Sequence, residues 1–166
     1  GGRSGLRMTQ VELLARSMQA PNAPVIIGRE GIVSWAQLRE AVGRRAKAIT
    51  ISSASQDTGH AFIARSEPAD VFELLASWQM GKVPVPLNSR LPADEAPSLL
   101  EELAHMTMPE GSAVVLRTSG TSGNPRGVAL SMDNLLANAR GTEARLGADA
   151  DDVWISTLAP GHVGWL

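Results

Sequence analysis

The chain has 166 residues, 43% of them hydrophobic, a formal net charge of −2 and no cysteine. That is one domain's worth of chain with enough apolar material for a core, which excludes a disordered tail. It also excludes disulfides, thiolate catalysis and cysteine-ligated zinc, and with no run of like charges it leaves no electrostatic footprint for nucleic acid.

In chain order, residues 1–8 read as a tag remnant or frayed end, and Gly1-Gly2-Arg3-Ser4-Gly5 lacks the apolar run of a signal peptide. Thr9 can cap a helix with Val11, Leu14, Ala15 and Met18 on one face, ended by Pro21 and Pro24. Val25-Ile26-Ile27 and Ile32-Val33 flank Gly28-Arg29-Glu30-Gly31, a β-hairpin pattern. Ser34 with Gln37 three residues later forms a capping box for a helix whose Leu38, Val42, Ala46 and Ile49 share one stripe. Ala61 to Ala64 is a short buried strand. Ser66, with Pro68 in the first turn, opens a helix carrying Val71, Leu74, Leu75 and Trp78, which Gly81 closes.

Val83 to Leu87 is a strand that Pro84 and Pro86 mark as edge or irregular. Pro92 starts a further helical stretch. Val114-Val115-Leu116 is a strand running into a Gly/Ser/Thr loop, and Val128 to Leu130 resumes extended structure. Ser131 caps a helix with Leu135, Leu136 and Ala139 inward, and Val153 to Leu158 is a last strand. Strand–helix alternation of this kind predicts an α/β layered domain. Trp35, Trp78, Trp154 and Trp165 read as packing residues. The apolar end Trp165-Leu166 reads as a cut through a larger fold.

The loop after Leu116 carries the chemistry. Thr118-Ser119-Gly120-Thr121-Ser122-Gly123-Asn124-Pro125-Arg126-Gly127 holds three glycines, four hydroxyl residues and one arginine. Glycines let backbone N–H groups approach an anion, and successive amides in such a turn form a concave anion site. Thr118, Ser119, Thr121 and Ser122 add hydroxyl donors, and Arg126 adds a permanent planar charge that suits phosphate. The spacing matches neither Gly-x-x-x-x-Gly-Lys-Ser/Thr nor Gly-x-Gly-x-x-Gly.

This segment resembles the signature Thr-Ser-Gly-Thr-Thr-Gly-x-Pro-Lys-Gly of the adenylate-forming superfamily of acyl-CoA synthetases, luciferases and peptide-synthetase adenylation domains. Ser122 replaces a threonine and keeps the hydroxyl; Arg126 replaces a lysine and keeps the charge. Ser131-Met132-Asp133-Asn134-Leu135 is similar to the family's Thr/Ser-His-x-Asn-Leu, with Met132 in place of histidine. Ser34 to Leu38 and Ala76 to Asn88 are similar to further family segments, so the resemblance runs from about Thr9 to the end. The stretch from Asp94 to Val114 is shorter than in many relatives, which carry another strand and helix there.

The resemblance implies a partial N-terminal large domain of an adenylate-forming enzyme over residues 9–166. The remainder of the domain and a C-terminal lid would lie outside these residues. It implies ATP, Mg2+ and CoA as reaction partners, with the magnesium-binding glutamate, a ribose-binding aspartate and the catalytic lysine outside this chain. The phosphate-binding set is Thr118, Ser119, Gly120, Thr121, Ser122, Gly123 and Arg126. No catalytic or metal-binding role falls on these residues themselves, and the 166 residues alone are expected to be inactive.

Leu158-Ala159-Pro160-Gly161-His162-Val163-Gly164 looks like the family's Leu-Pro-x-x-His-x-x-Gly, with an extra alanine, so the resemblance places His162 at the acyl-substrate pocket. Its His-Val-Gly form is similar to that of the o-succinylbenzoate–CoA ligases of menaquinone synthesis. His60 and His105 carry no such resemblance and read as structural. The expected partner is a small carboxylic acid, in a cytoplasmic homodimer without a membrane span. The alternative is a non-catalytic segment that binds an anion or acyl-adenylate, or that only contributes a surface.

Overall fold

The computed structural model describes residues 15, 17–52, 58–118, 126–149, 152–158, 161, 162 and 164. The helix expected from Thr9 lies mostly outside them; residues 17–19 are helical and Ser17 is buried. Among the described residues no helix is long and apolar enough to cross a membrane.

Strands β1 (Pro24–Gly28) and β2 (Gly31–Ser34) form the expected antiparallel hairpin, with Ile27 opposite Ile32 and Gly28 opposite Gly31. Helix α1 (Trp35–Ser52) follows at once, because Ser34 and Gln37 cap it as a pair. The Ser34 N–H donates to Gln37 Oε1 at 2.8 Å, and the Gln37 N–H donates to Ser34 Oγ at 3.3 Å. Its stripe of Leu38, Val42, Ala46 and Ile49 is buried against Val25, Ile26 and Val33 of the hairpin and against Val71, Phe72, Leu75 and Ala76 of the next helix. Each large side chain buried this way contributes about 1.5–3 kcal/mol.

Strand β3 (Gly59–Ala64), helix α2 (Pro68–Gln79) and strand β4 (Val83–Asn88) form a β-α-β unit, β3 and β4 pairing in parallel from Gly59–Val83 to Ala64–Asn88. The helix cap differs from the expectation at Ser66. The N-cap is Glu67, and Ser66 adopts a left-handed backbone with φ 61°. The buried Asp70 carboxylate holds this turn by accepting from the Arg65 N–H at 3.0 and 3.2 Å and from the Glu67 N–H at 3.0 Å. A carboxylate accepting several backbone N–H groups at a helix start satisfies donors that the helix itself leaves open.

Three elements meet at Glu73 on α2. It accepts from Arg45 Nε of α1, and from His60 Nε2 of β3 at 2.9 Å. His60 also stacks on Phe62, the ring centroids 5.9 Å apart. Burial works to raise the Glu73 pKa, but the hydrogen bonds and charges of His60 and Arg45 outweigh it and hold the carboxyl below its ordinary value. His60 thus ties β3 to α2.

β4 is an edge only in its hydrogen bonding. Val83 to Leu87 are all buried, and Pro84 and Pro86 are among the most buried side chains in the molecule. The Val83 N–H donates to Thr58 O at 2.7 Å, on the β3 side. By the alternation of a strand, Pro84 and Pro86 then face the opposite edge, where neither has an N–H to offer. Strand β5 (Ser112–Arg117) lies beside β4, yet no ladder joins the two.

Side chains make that junction instead. Helix α3 (Ala96–Ala104), which begins after a turn at Pro92, contributes Leu103 to a second core with Val83, Val85, Leu87, Met108 and Val115. Trp78 Nε1–H donates to the Ala113 carbonyl at 2.7 Å, so this packing residue also tethers β5.

β5 pairs antiparallel with β6 (Gly127–Ser131), so among the described residues the expected layered sheet is realised as three two-stranded ladders with helices against them. Helix α4 (Met132–Leu146) starts at Ser131, whose Oγ accepts from the Asn134 N–H at 3.2 Å. Met132 is buried, Leu135 and Leu136 are half-buried, and Ala139 is exposed rather than inward.

The strand expected over Val153 to Leu158 is not formed. Val153, Trp154 and Ile155 are exposed by 72, 66 and 78%, and no neighbouring strand pairs with the segment among the described residues. An apolar run becomes a strand only when another backbone satisfies its N–H and C=O groups.

Candidate phosphate loop and acid-pocket site

The β5–β6 hairpin positions the loop that the sequence singles out. The ladder runs from Ser112–Ser131 to Arg117–Gly127, and the next pair out, Thr118 and Arg126, closes it. The Thr118 N–H donates to the Arg126 carbonyl at 2.9 Å, and Thr118 Oγ1 reaches the same oxygen at 3.4 Å. Of the expected phosphate-binding set, the structure therefore brings Thr118 and Arg126 together at the two feet of the loop. Ser119, Gly120, Thr121, Ser122 and Gly123 lie outside the described residues.

Both feet are exposed, while the strand behind them is not: Ala113 to Leu116 are buried. Among the described residues Arg126 has no carboxylate within ion-pair distance. A planar fork of N–H groups such as its guanidinium suits phosphate oxygens. The donor set at this mouth fits an anionic phosphate chain.

His162 belongs to a separate stretch of the sequence. Gly161 precedes it with φ +92°, and a Cβ at that position would stand 3.0 Å from the Pro86 carbonyl oxygen, so only glycine lets the segment lie against the end of β4. The His162 ring is exposed, and its Nδ1 accepts from the Gly164 N–H at 3.2 Å. It makes no hydrogen bond to Thr118 or Arg126 among the described residues. Three features escaped the reading of the sequence: the Asp70 cap, the Glu73 cluster and the approach of Gly161 to Pro86. The Asp70 cap is local and its three-residue spacing from Glu67 could have marked it, whereas the other two are contacts between separate segments that no local spacing announces.

The family described as AMP-binding enzyme matches residues 97–165. A 2-succinylbenzoate–CoA ligase of Enterococcus faecalis is 29% identical over 133 residues, covering 57% of this chain and 27% of the relative. A ligase of the same name from Bacillus cereus is 39% identical over 75 residues, covering 45% of this chain and 15% of the relative. The chain thus spans well under half the length of these relatives.

Among solved structures, the o-succinylbenzoate CoA synthetase MenE of Bacillus subtilis, in complex with the acyl-adenylate OSB-AMP, superposes with a TM-score of 0.73. The identity is 22%, with 92% of this chain and 50% of that chain covered. Other structures of that enzyme hold AMP, or ATP and magnesium. ATP-bound MatB of Rhodopseudomonas palustris gives a TM-score of 0.68 at 20% identity, covering 92% of this chain and 41% of that one. The chain therefore shares the fold of the matched part of these structures, and its residues 97–165 match the model of the AMP-binding enzyme family.

Proposed function

We propose that this chain is the front part of an ATP-dependent acid–CoA ligase, within an N-terminal AMP-binding domain that begins near residue 9, and that it supplies the loop gripping the nucleotide's phosphates. In the proposed reaction a small organic carboxylate attacks the α-phosphate of ATP, giving an acyl-adenylate and pyrophosphate. The CoA thiol then displaces AMP. Magnesium, when bound with the nucleotide, offsets charge on its phosphates.

The observation that carries this reading is the closed pair of feet at Thr118 and Arg126. Thr118 is committed to the Arg126 carbonyl, so its part is to fix the span of the loop. The Arg126 side chain is left to contact phosphate oxygens and to offset charge that develops on the departing pyrophosphate. Ser119 to Gly123 complete the cradle with backbone amides and hydroxyls, as their composition supports. His162, held over the end of β4, borders the acid. The His-Val-Gly form and the named relatives support an acid of the o-succinylbenzoate type.

Pyrophosphate release by the longer protein containing these residues, measured across a panel of carboxylic acids, tests the reading. Acid-dependent release, strongest with an aromatic keto-acid such as o-succinylbenzoate, is expected. No release with any acid would overturn the ligase. The 166 residues alone are proposed to be inactive, and acid-dependent release from them would overturn that part.

A further inference from the structure

From the contacts of the segment 161–164, we infer that the backbone amide of Gly164 is a positioning group for His162: it fixes the ring's orientation and its tautomer, so that Nε2 carries the proton and faces outward as a donor. The inference rests on the reading of His162 as a wall of the acid pocket, and it adds what that wall offers chemically.

The Gly164 N–H donates to His162 Nδ1 at 3.2 Å. A neutral imidazole has one donor nitrogen and one acceptor nitrogen, and which is which follows from the hydrogen bond that either one makes. Because Nδ1 accepts here, the proton resides on Nε2. A Cβ on residue 164 would come within 2.6 Å of Leu158 Cδ1, which would have to turn aside, and 3.5 Å from His162 Nδ1, an ordinary contact. Gly161, pinned against the Pro86 carbonyl, fixes the other side of the turn.

The consequence is directional. An Nε2–H donor matches an acceptor oxygen of a carboxylic acid, and it cannot serve as a general base at that nitrogen. His162 is then a positioning residue, which holds an oxygen, rather than one that removes a proton.

The test reads the ring directly. Long-range 1H–15N correlation spectra of the 15N-labelled 166-residue chain, taken above the imidazole titration range, report the tautomer ratio of each histidine. His162→Asn assigns the signal among the three histidines. The same chain unfolded in urea gives the free-ring ratio. A hydrogen bond of ordinary net strength makes the folded His162 favour the Nε2–H form roughly fivefold more than the unfolded one.

Gly164→Pro, which lacks the N–H, is expected to lose that excess. Gly164→Ala, which keeps the N–H, is expected to retain it once the Leu158 side chain turns aside. Equal ratios in folded and unfolded wild-type chain would overturn the inference, as would an unchanged excess in a folded Gly164→Pro variant. The wild-type comparison stands even where a variant fails to fold. These spectra do not depend on nucleotide turnover. A longer protein that fails to release pyrophosphate while keeping the Nε2–H excess would sink the ligase reading alone.

Discussion

Glu73 is the residue whose removal tests the packing of this fold most sharply. Its carboxylate joins α1 and β3 to α2 through Arg45 and His60 and is 16% exposed. Glu73→Ala removes both links. A hydrogen bond to a carboxylate is worth about 1.5–3 kcal/mol, and that range applies to the bond from His60, whose side chain is 14% exposed. Arg45 is 44% exposed, so water screens its share down to about 0.2–1 kcal/mol. The sum is a loss of about 2–4 kcal/mol, overlapping the lower part of the ~3–5 kcal/mol for breaking a fully buried pair. With a urea slope of about 2 kcal/mol/M, the midpoint falls by roughly 1–2 M.

The effect has a pH signature. The folded Glu73 pKa lies below its ordinary value of 4.5, so its stabilisation is complete well above 4.5 and is lost as pH falls through the folded value. Urea unfolding of wild type and Glu73→Ala at neutral pH and again at about pH 3 checks both points. Wild type and variant should converge at the acid end, and Arg45→Ala should add little to Glu73→Ala. A neutral-pH loss under about 0.5 kcal/mol, or a gap that persists undiminished into acid, would refute the reasoning.

In the longer protein, Arg126→Ala should slow adenylation by about 1.5–3 kcal/mol, roughly 10- to 150-fold, while leaving the thioester step from pre-made acyl-AMP unchanged. An equal defect in both half-reactions would mean that Arg126 serves something other than the phosphates. Trp78→Phe strips the Ala113 carbonyl of its donor, which should cost about 1–3 kcal/mol in urea unfolding and speed amide exchange in Val114 to Leu116. Unchanged stability and exchange would show that the tether does not hold β5. The exposed Val153-Trp154-Ile155 run should drive reversible dimerisation that Trp154→Asp weakens. Sedimentation showing a monomer throughout a wide concentration range would count against the homodimer.

What could be read in advance was what repeats along a single element. The α1 stripe was legible because a 3.6-residue period places Leu38, Val42, Ala46 and Ile49 on one face, and Ser34 with Gln37 marked its start three residues apart. The β1–β2 turn was legible from its glycines. At the candidate site, the strand before the Gly/Ser/Thr loop and the extended segment after it were legible, but their antiparallel pairing, closed by Thr118 and Arg126, was not, and the interior from Ser119 to Gly123 still rests on its composition.

The failures share a different cause. Asp70 caps a turn that Ser66 was expected to cap, because the backbone at Ser66 turns left-handed, which hydroxyl spacing does not encode. Prolines marked β4 as an edge or irregular strand, and it is an edge in its hydrogen bonding, but they did not announce that the strand is buried. Val153 to Leu158 has the composition of a strand, but composition supplies no partner.

The alternating prolines of β4 bear on how this protein avoids the wrong company. A strand edge with free N–H groups recruits other strands, its own copies included. Pro84 and Pro86 leave carbonyl oxygens without matching donors along that edge, so a passing strand would find only half of each bond. Replacing both with valine would restore the donors while keeping the β-branched, apolar character that buried strands favour. Such a variant would gain the means to zip β4 onto β5, or onto a second molecule, in registers that the natural sequence makes unprofitable. In these two positions the protein gives up a ladder and gains a strand whose neighbours are selected by the shape of their side chains.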